Sequence, residues 1–249
     1  MDEAEKNAVQ TEEKKITARE YLDIIHKEVF LREPQSTGSY YLWGGEQEKR
    51  YTLIDAWKQE WERAGKSSDV YMFELDLNQF SAKEMDDEAN WDVWFHLVQE
   101  MRTCLKKNGL NDVVKSSYKY FKELTPAEAA DPFERNNAFS KLQNLFQGYS
   151  NEGIQMIVLV RHFEKCCEIF PKETEEGHFF KTLFKLSKKG ASKPVFCTFL
   201  LESELDIEDT VHHMKDISSF PSAYKPVNLA LVEKEELESY MKLLQEEKN

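Results

Sequence analysis

No apolar run in the chain approaches the ~18 residues that a membrane-crossing helix needs, so none of its segments is expected to span a bilayer. A secretory leader is not expected either: the chain opens on Met1-Asp2-Glu3-Ala4-Glu5-Lys6, where a positively charged region and an apolar stretch belong. Cysteines are few, Cys104, Cys166, Cys167 and Cys197, and no C-x-x-C pair occurs. Adjacent Cys166 and Cys167 are poorly spaced for a disulfide framework, so the reading is a reducing, cytoplasmic compartment. Cations are outnumbered, 33 Lys and Arg against 46 Asp and Glu, for a formal charge of −13. That balance disfavours direct nucleic-acid binding, which relies on Lys and Arg neutralising phosphates. Neither a fixed-period repeat nor a low-complexity linker is present.

What the chain does have is core-forming material. Its 16 Phe, 10 Tyr and 5 Trp each bury a large area, enough for one sizeable domain over 249 residues. Residues 1–16 are Glu- and Lys-rich without aromatics, and read as a disordered lead-in. A helix is expected from Thr17, with Glu20 completing a capping box and Leu22, Ile25, Val29 and Phe30 on one face, up to Pro34. Tyr40-Tyr41-Leu42-Trp43 reads as a buried strand running into Gly44-Gly45. A helix from about Tyr51 follows, with Leu53, Ala56, Trp57, Trp61 and Ala64 at three- and four-residue steps, ending at Gly65.

Further strands are expected over 70–77, 154–160, 194–201 and 227–232. Ile154 to Val160 is continuously apolar, as a strand buried on both faces of a parallel sheet must be. Between strands lie a Trp91–Leu105 helix, helical pieces over 111–148 broken at Thr125-Pro126, a helix over 177–189 and a last helix carrying Leu237, Tyr240, Met241 and Leu244. The alternation predicts an α/β fold: a parallel sheet of about five strands covered by helices, over residues 17–249, with a helical insertion at about 106–150.

Strand, Gly turn and helix at 40–65 match the context of a phosphate loop, G-x-x-x-x-G-K-[ST]. Counting from Gly44, the second glycine's place holds Lys49, the lysine's place Arg50 and the hydroxyl's place Tyr51. Lys49 brings a Cβ where backbone must approach phosphate. Tyr51 is no compact Mg²⁺ ligand, and Glu46 and Glu48 stand where phosphates would sit. Gly44, Gly45, Lys49 and Arg50 are thus candidates for a vestigial phosphate site, Arg50 being able to pair with an anion. After the 154–160 strand, where active phosphate-loop ATPases carry an acidic pair for Mg²⁺ and water, the chain has Arg161-His162-Phe163-Glu164.

These residues, with the strands at 70–77 and 154–160, resemble the signal-transducing (STAND/AAA-like) P-loop ATPases. The resemblance implies a P-loop NTPase-like sheet of five parallel strands. Because both motifs depart from the family's pattern, its nucleotide and catalytic roles are not carried to Lys49, Arg50, Tyr51, Arg161 or His162. The expectation is a pseudo-ATPase-like regulatory or adaptor protein that works through a protein partner, without cofactor, metal or catalytic residue. Signalling and prokaryotic defence are frequent settings of the family, so an antiviral or CRISPR-type accessory role is among those implied. A metal-independent nucleotide-binding switch using Arg50 is one alternative. Another is an enzyme of a different class at the strand C-termini, using Glu74, Asp76, His162 or Cys166.

Other clusters have blander readings. His162 and Cys166, four apart, with Cys167 adjacent, fall short of the three or four ligands zinc requires. His212-His213 reads as solvent-facing, and Lys185, Lys188, Lys189 and Lys193 as the solvated end of a helix.

Overall fold

Among the described residues five strands form one sheet, and its three inner strands are short runs that can be buried on both sides. A computed structural model describes residues 39–65, 70–83, 86–119, 121, 128, 131–170, 178–187, 197–211, 224–231 and 233–239. In chain order they form β1 (Ser39–Trp43), α1 (Gln47–Gly65), β2 (Val70–Asp76), a 3₁₀ turn (Leu77–Gln79), α2 (Asp86–Lys107), α3 (Asn111–Ser117) and α4 (Pro132–Asn151). Then come β3 (Gln155–Arg161), a 3₁₀ turn (Phe163–Lys165), α5 (Cys166–Ile169), α6 (His178–Ser187), β4 (Cys197–Glu202), α7 (Ile207–Val211), β5 (Tyr224–Asn228) and a 3₁₀ turn (Leu229–Leu231). Residues 234–239 are helical.

The sheet order is β2-β3-β4-β1-β5, and all four pairings are parallel. The α/β reading with a five-stranded parallel sheet therefore holds. Successive side chains point to opposite faces, and both faces are apolar. Tyr41, Phe73, Val158, Phe199 and Leu201 share one core with Trp94, Leu97 and Met101 of α2, Leu142, Leu145 and Phe146 of α4, and Phe179 and Leu183 of α6. Tyr40, Leu42, Ile157, Leu159, Leu200 and Val227 form a second core with Leu53 and Ile54 of α1 and Leu237. Burying each such side chain contributes roughly 1.5–3 kcal/mol. The stretch read as an insertion thus packs on the sheet through α4, which Asp131 caps by accepting from Phe133 N at 2.8 Å, with Pro132 opening the first turn.

Three boundaries differ from expectation. The helix after β1 starts at Gln47, four residues before Tyr51, because Glu46 O accepts from Lys49 N (3.0 Å) and Arg50 N (3.2 Å) and so closes a first turn there. The last strand is Tyr224–Asn228 rather than 227–232. Asn228 Oδ1 accepts from Ala230 N at 2.9 Å, and that local bond turns the chain into the 3₁₀ segment. Pro226 fits inside β5 because β5 is an edge strand. The fourth strand spans Cys197–Glu202; residues 194–196 lie outside the described residues. So do the helix expected from Thr17, the Thr125-Pro126 break, Tyr240, Met241, Leu244, His212-His213, Lys188, Lys189 and Lys193.

Parallel strands all end at one edge of the sheet. That edge gathers Gly44, Asp76, Arg161, Glu202 and Asn228. In open α/β sheets ligand crevices form outside the strand C-termini.

Candidate functional site at the strand C-termini

The turn after β1 is three residues long, Gly44-Gly45-Glu46. Both glycines are left-handed, φ 73° and 67°. They are also crowded: a Cβ on Gly44 would lie 2.6 Å from Asn228 Oδ1, and one on Gly45 would lie 3.3 Å from the Leu229 carbonyl. The turn is therefore pressed onto the end of β5, and glycine suits both the left-handed conformation and the close approach. Lys49 and Arg50, placed in a loop by their spacing, sit in the first turn of α1.

Arg50 is 1% exposed because it falls on the buried stripe of α1, three and four residues before Leu53 and Ile54. A cation there requires a partner, and Glu202 at the end of β4, itself 0% exposed, supplies it. Arg50 Nε donates to Glu202 Oε1 at 2.6 Å. Arg50 Nη1 donates to Gly45 O at 2.9 Å and Gly44 O at 3.4 Å. Arg50 Nη2 reaches Glu204 Oε1 at 3.5 Å. The turn thus offers its carbonyl oxygens, not its N–H groups, to the guanidinium. Glu202 Oε2 accepts from His162 N at 3.0 Å, so one carboxylate ties the β1–α1 turn to the end of β3.

Beside it lies a second charged set. Arg161 Nε is 2.5 Å from Glu74 Oε1 and its Nη2 is 3.7 Å from Asp55 Oδ1. Its guanidinium carbon stands 4.6 Å from the Tyr51 ring centre. Lys58 of α1 also pairs with Glu74. Partial burial raises the Glu74 carboxyl, but the hydrogen bond from Lys58 and the charges of Arg161 and Lys58 outweigh it and hold the group below its ordinary value. Asp76 accepts from Asn78 N at 2.9 Å and caps the following turn.

His162 takes the left-handed conformation, φ 56°, the only non-glycine among the described residues to do so. Its Nε2 is 2.8 Å from Tyr51 Oη and 3.9 Å from Asp76 Oδ1, and its Nδ1 is 3.5 Å from Glu164 Oε1. Residues at the two altered motif positions therefore meet across 111 positions of sequence.

His162 and Cys166 do not share a helix face. His162 precedes the 3₁₀ turn, whereas Cys166 opens α5 and is buried in the main core. Among the described residues no group of three His, Cys, Asp or Glu is placed to hold a metal. The four cysteines are thiols outside any disulfide, and burial pushes the Cys197 thiol well up. No helix among the described residues is long and apolar enough to cross a membrane.

Sequence reasoning did not single out Glu202 and gave Glu164 no role. The available signal for Glu202 was Arg50 itself: a cation on an apolar helix stripe demands a buried carboxylate, and the apolar Phe199-Leu200-Leu201 run ends in one.

No known family profile matches the sequence, and no curated protein does. Solved structures do. The ORC2 protein of Aeropyrum pernix is similar in its ADPNP–ADP complexes (13% identity, TM-score 0.50) and in its ADP form (12%, TM-score 0.51), each match covering 92% of this chain and 50% of that one. The Cdc6p of Pyrobaculum aerophilum matches at 10% identity and TM-score 0.48, over 85% of this chain and 44% of that one. The chain spans about half the length of the solved proteins it matches. At such identities the likeness concerns fold alone, and the fold is an α/β, P-loop NTPase-like architecture of the AAA+ kind.

Proposed function

We propose that the chain is a non-catalytic regulatory or adaptor protein, a pseudo-ATPase-like scaffold that acts through protein–protein contacts. A prokaryotic defence or CRISPR-type assembly is one setting for such a subunit. The observation that carries the reading is the closure around Arg50. Its Nε is taken by Glu202 and its Nη1 by Gly44 O and Gly45 O. A phosphate replacing Glu202 would leave that carboxylate buried and unpaired, at a cost of several kcal/mol. Metal is disfavoured at the end of β3 for a related reason: the side chain there is a cation, Arg161, already paired with Glu74. The A. pernix ORC2 protein is described with ADPNP and ADP; the arrangement of Arg50 argues against the same use here.

Thermal unfolding with millimolar ATP or ADP, in Mg²⁺ and in EDTA, tests the reading. A ligand at ~100 times its dissociation constant stabilises by about 2.7 kcal/mol, roughly 5–10 °C for a chain of this size. The expected result is no shift and no phosphate release. A saturable shift that Arg50→Ala abolishes would replace this reading with a nucleotide-binding switch, and Mg²⁺-dependent turnover with an ATPase.

A further inference from the structure

Tyr51, His162 and Glu164 stand in line at the strand C-termini. Gln47 Nε2 is 2.6 Å from Tyr51 Oη. The Gln47 amide nitrogen can only donate, so the phenol oxygen accepts there and its own proton is free to point elsewhere. In the Nδ1–H tautomer, His162 Nε2, at 2.8 Å, accepts that proton. A neutral imidazole with Nε2 accepting carries its proton on Nδ1, and Nδ1 faces Glu164 Oε1 at 3.5 Å. The other oxygen of Glu164 accepts from Glu204 N at 3.1 Å. Hydroxyl, base and base-orienting carboxylate thus stand in order, as an activated nucleophile requires. His162 is held there in a left-handed conformation, a kind of backbone strain that clusters at functional sites.

We propose that Tyr51 Oη is a nucleophile served by His162 as general base, and that it accepts an acyl-type group from a neutral, activated donor. In the step, an oxygen–carbon bond forms to the donor carbonyl and the carbon–leaving-group bond breaks. The phenolic proton passes to His162 Nε2 and from there to the departing group. The donor is neutral because carboxylates line the approach. Asp76 and Glu164 flank His162, and Glu46 of the β1–α1 turn and Glu48 at the start of α1 are exposed. Arg161, whose guanidinium lies over the Tyr51 ring, is engaged by Glu74 and Asp55. One covalent acceptance is compatible with a protein that turns over no nucleotide, and the proposal stands whichever way the nucleotide test falls.

The full chain is treated with an arylsulfonyl fluoride at neutral pH, and labelling is followed site by site by peptide mass spectrometry. The probe forms an oxygen–sulfur bond, releases fluoride and leaves the proton on the base. Half-buried Tyr51 is expected to react about 10²-fold faster than Tyr118, which is 42% exposed. His162→Asn keeps a residue type tolerated in the left-handed region and is expected to bring Tyr51 down to the Tyr118 rate. Glu164→Gln, which leaves the backbone untouched, is expected to lower it in part. Equal rates for Tyr51 and Tyr118, label on His162 in place of Tyr51, or a Tyr51 rate unchanged in a folded His162→Asn or Glu164→Gln variant would overturn the proposal.

Discussion

Two arginines are buried to the same 1% exposure, and they are satisfied in opposite ways. Arg50 meets a buried carboxylate, Glu202, and two turn carbonyls. Arg102 of α2 meets neutral groups. Its Nε donates to Ser117 Oγ at 3.3 Å, its Nη2 donates to Phe121 O, and the Tyr118 ring lies 3.8 Å from its guanidinium carbon. Its Nη1 is buried and has no hydrogen-bond partner among the described residues. Burial accordingly pulls the Arg102 pKa down, against the opposing influence of Tyr149 and Tyr118. Arg102 serves as a packing post between α2, α3 and residue 121. Arg50 closes the mouth of the sheet. Burial alone does not separate the two roles; the counter-charge does.

The largest expected effect comes from breaking the Arg50–Glu202 pair on one side. Arg50→Ala or Glu202→Ala leaves an unpaired buried charge and is expected to cost about 3–5 kcal/mol, read as a lower midpoint in chemical denaturation. Replacing both, Arg50→Met with Glu202→Leu, is expected to recover most of that loss, because two apolar side chains need no counter-charge. A double variant as unstable as the sum of the singles would mean that the turn carbonyls and His162 N, not the ion pair, are what the site requires.

Arg102→Met sharpens the contrast from the other side. Among the described residues it removes a cation with no carboxylate against it, so the expected loss is about 1–2 kcal/mol, the worth of two hydrogen bonds and an uncovered Phe121 carbonyl. A loss as large as that of Arg50→Ala would show that neutral partners hold a buried guanidinium as firmly as a carboxylate does.

Much of this architecture was legible in the sequence, and the reason is local. A continuous apolar run such as Ile154–Val160 can be satisfied in few ways, so the parallel sheet followed from composition along the chain. The edge strand β5 was harder: Pro226 reads as a breaker until the edge position is known, and the Asn228 side chain that ends the strand is a local competitor to the ladder. The site was half legible. Gly44, Gly45, Arg50, Arg161 and His162 were singled out by spacing, yet what each does depends on partners far along the chain. Glu202 is 152 positions from Arg50 and 40 from His162, distances at which no periodicity operates.

The smallest expected effect concerns Glu74, which is 37% exposed and shared by Arg161 and Lys58. Its folded pKa lies below the ordinary value. Below that ordinary value, about 4.3 for a glutamate, the unfolded chain binds the proton more readily than the folded one. The Glu74 contribution to stability is therefore present above that pH and is lost as pH falls through the folded pKa. Glu74→Gln is expected to flatten the acid limb of the stability curve below about pH 4.3 while shifting the neutral plateau little, because solvent screens a pair so exposed. Denaturant midpoints measured from pH 7 down to pH 3 compare the limbs directly. An unchanged acid limb would mean that Arg161 and Lys58 attract Glu74 equally in the unfolded chain. Glu74 would then fix the position of Arg161 without contributing to stability, which would leave Glu202 as the carboxylate at this edge whose charge the fold depends on.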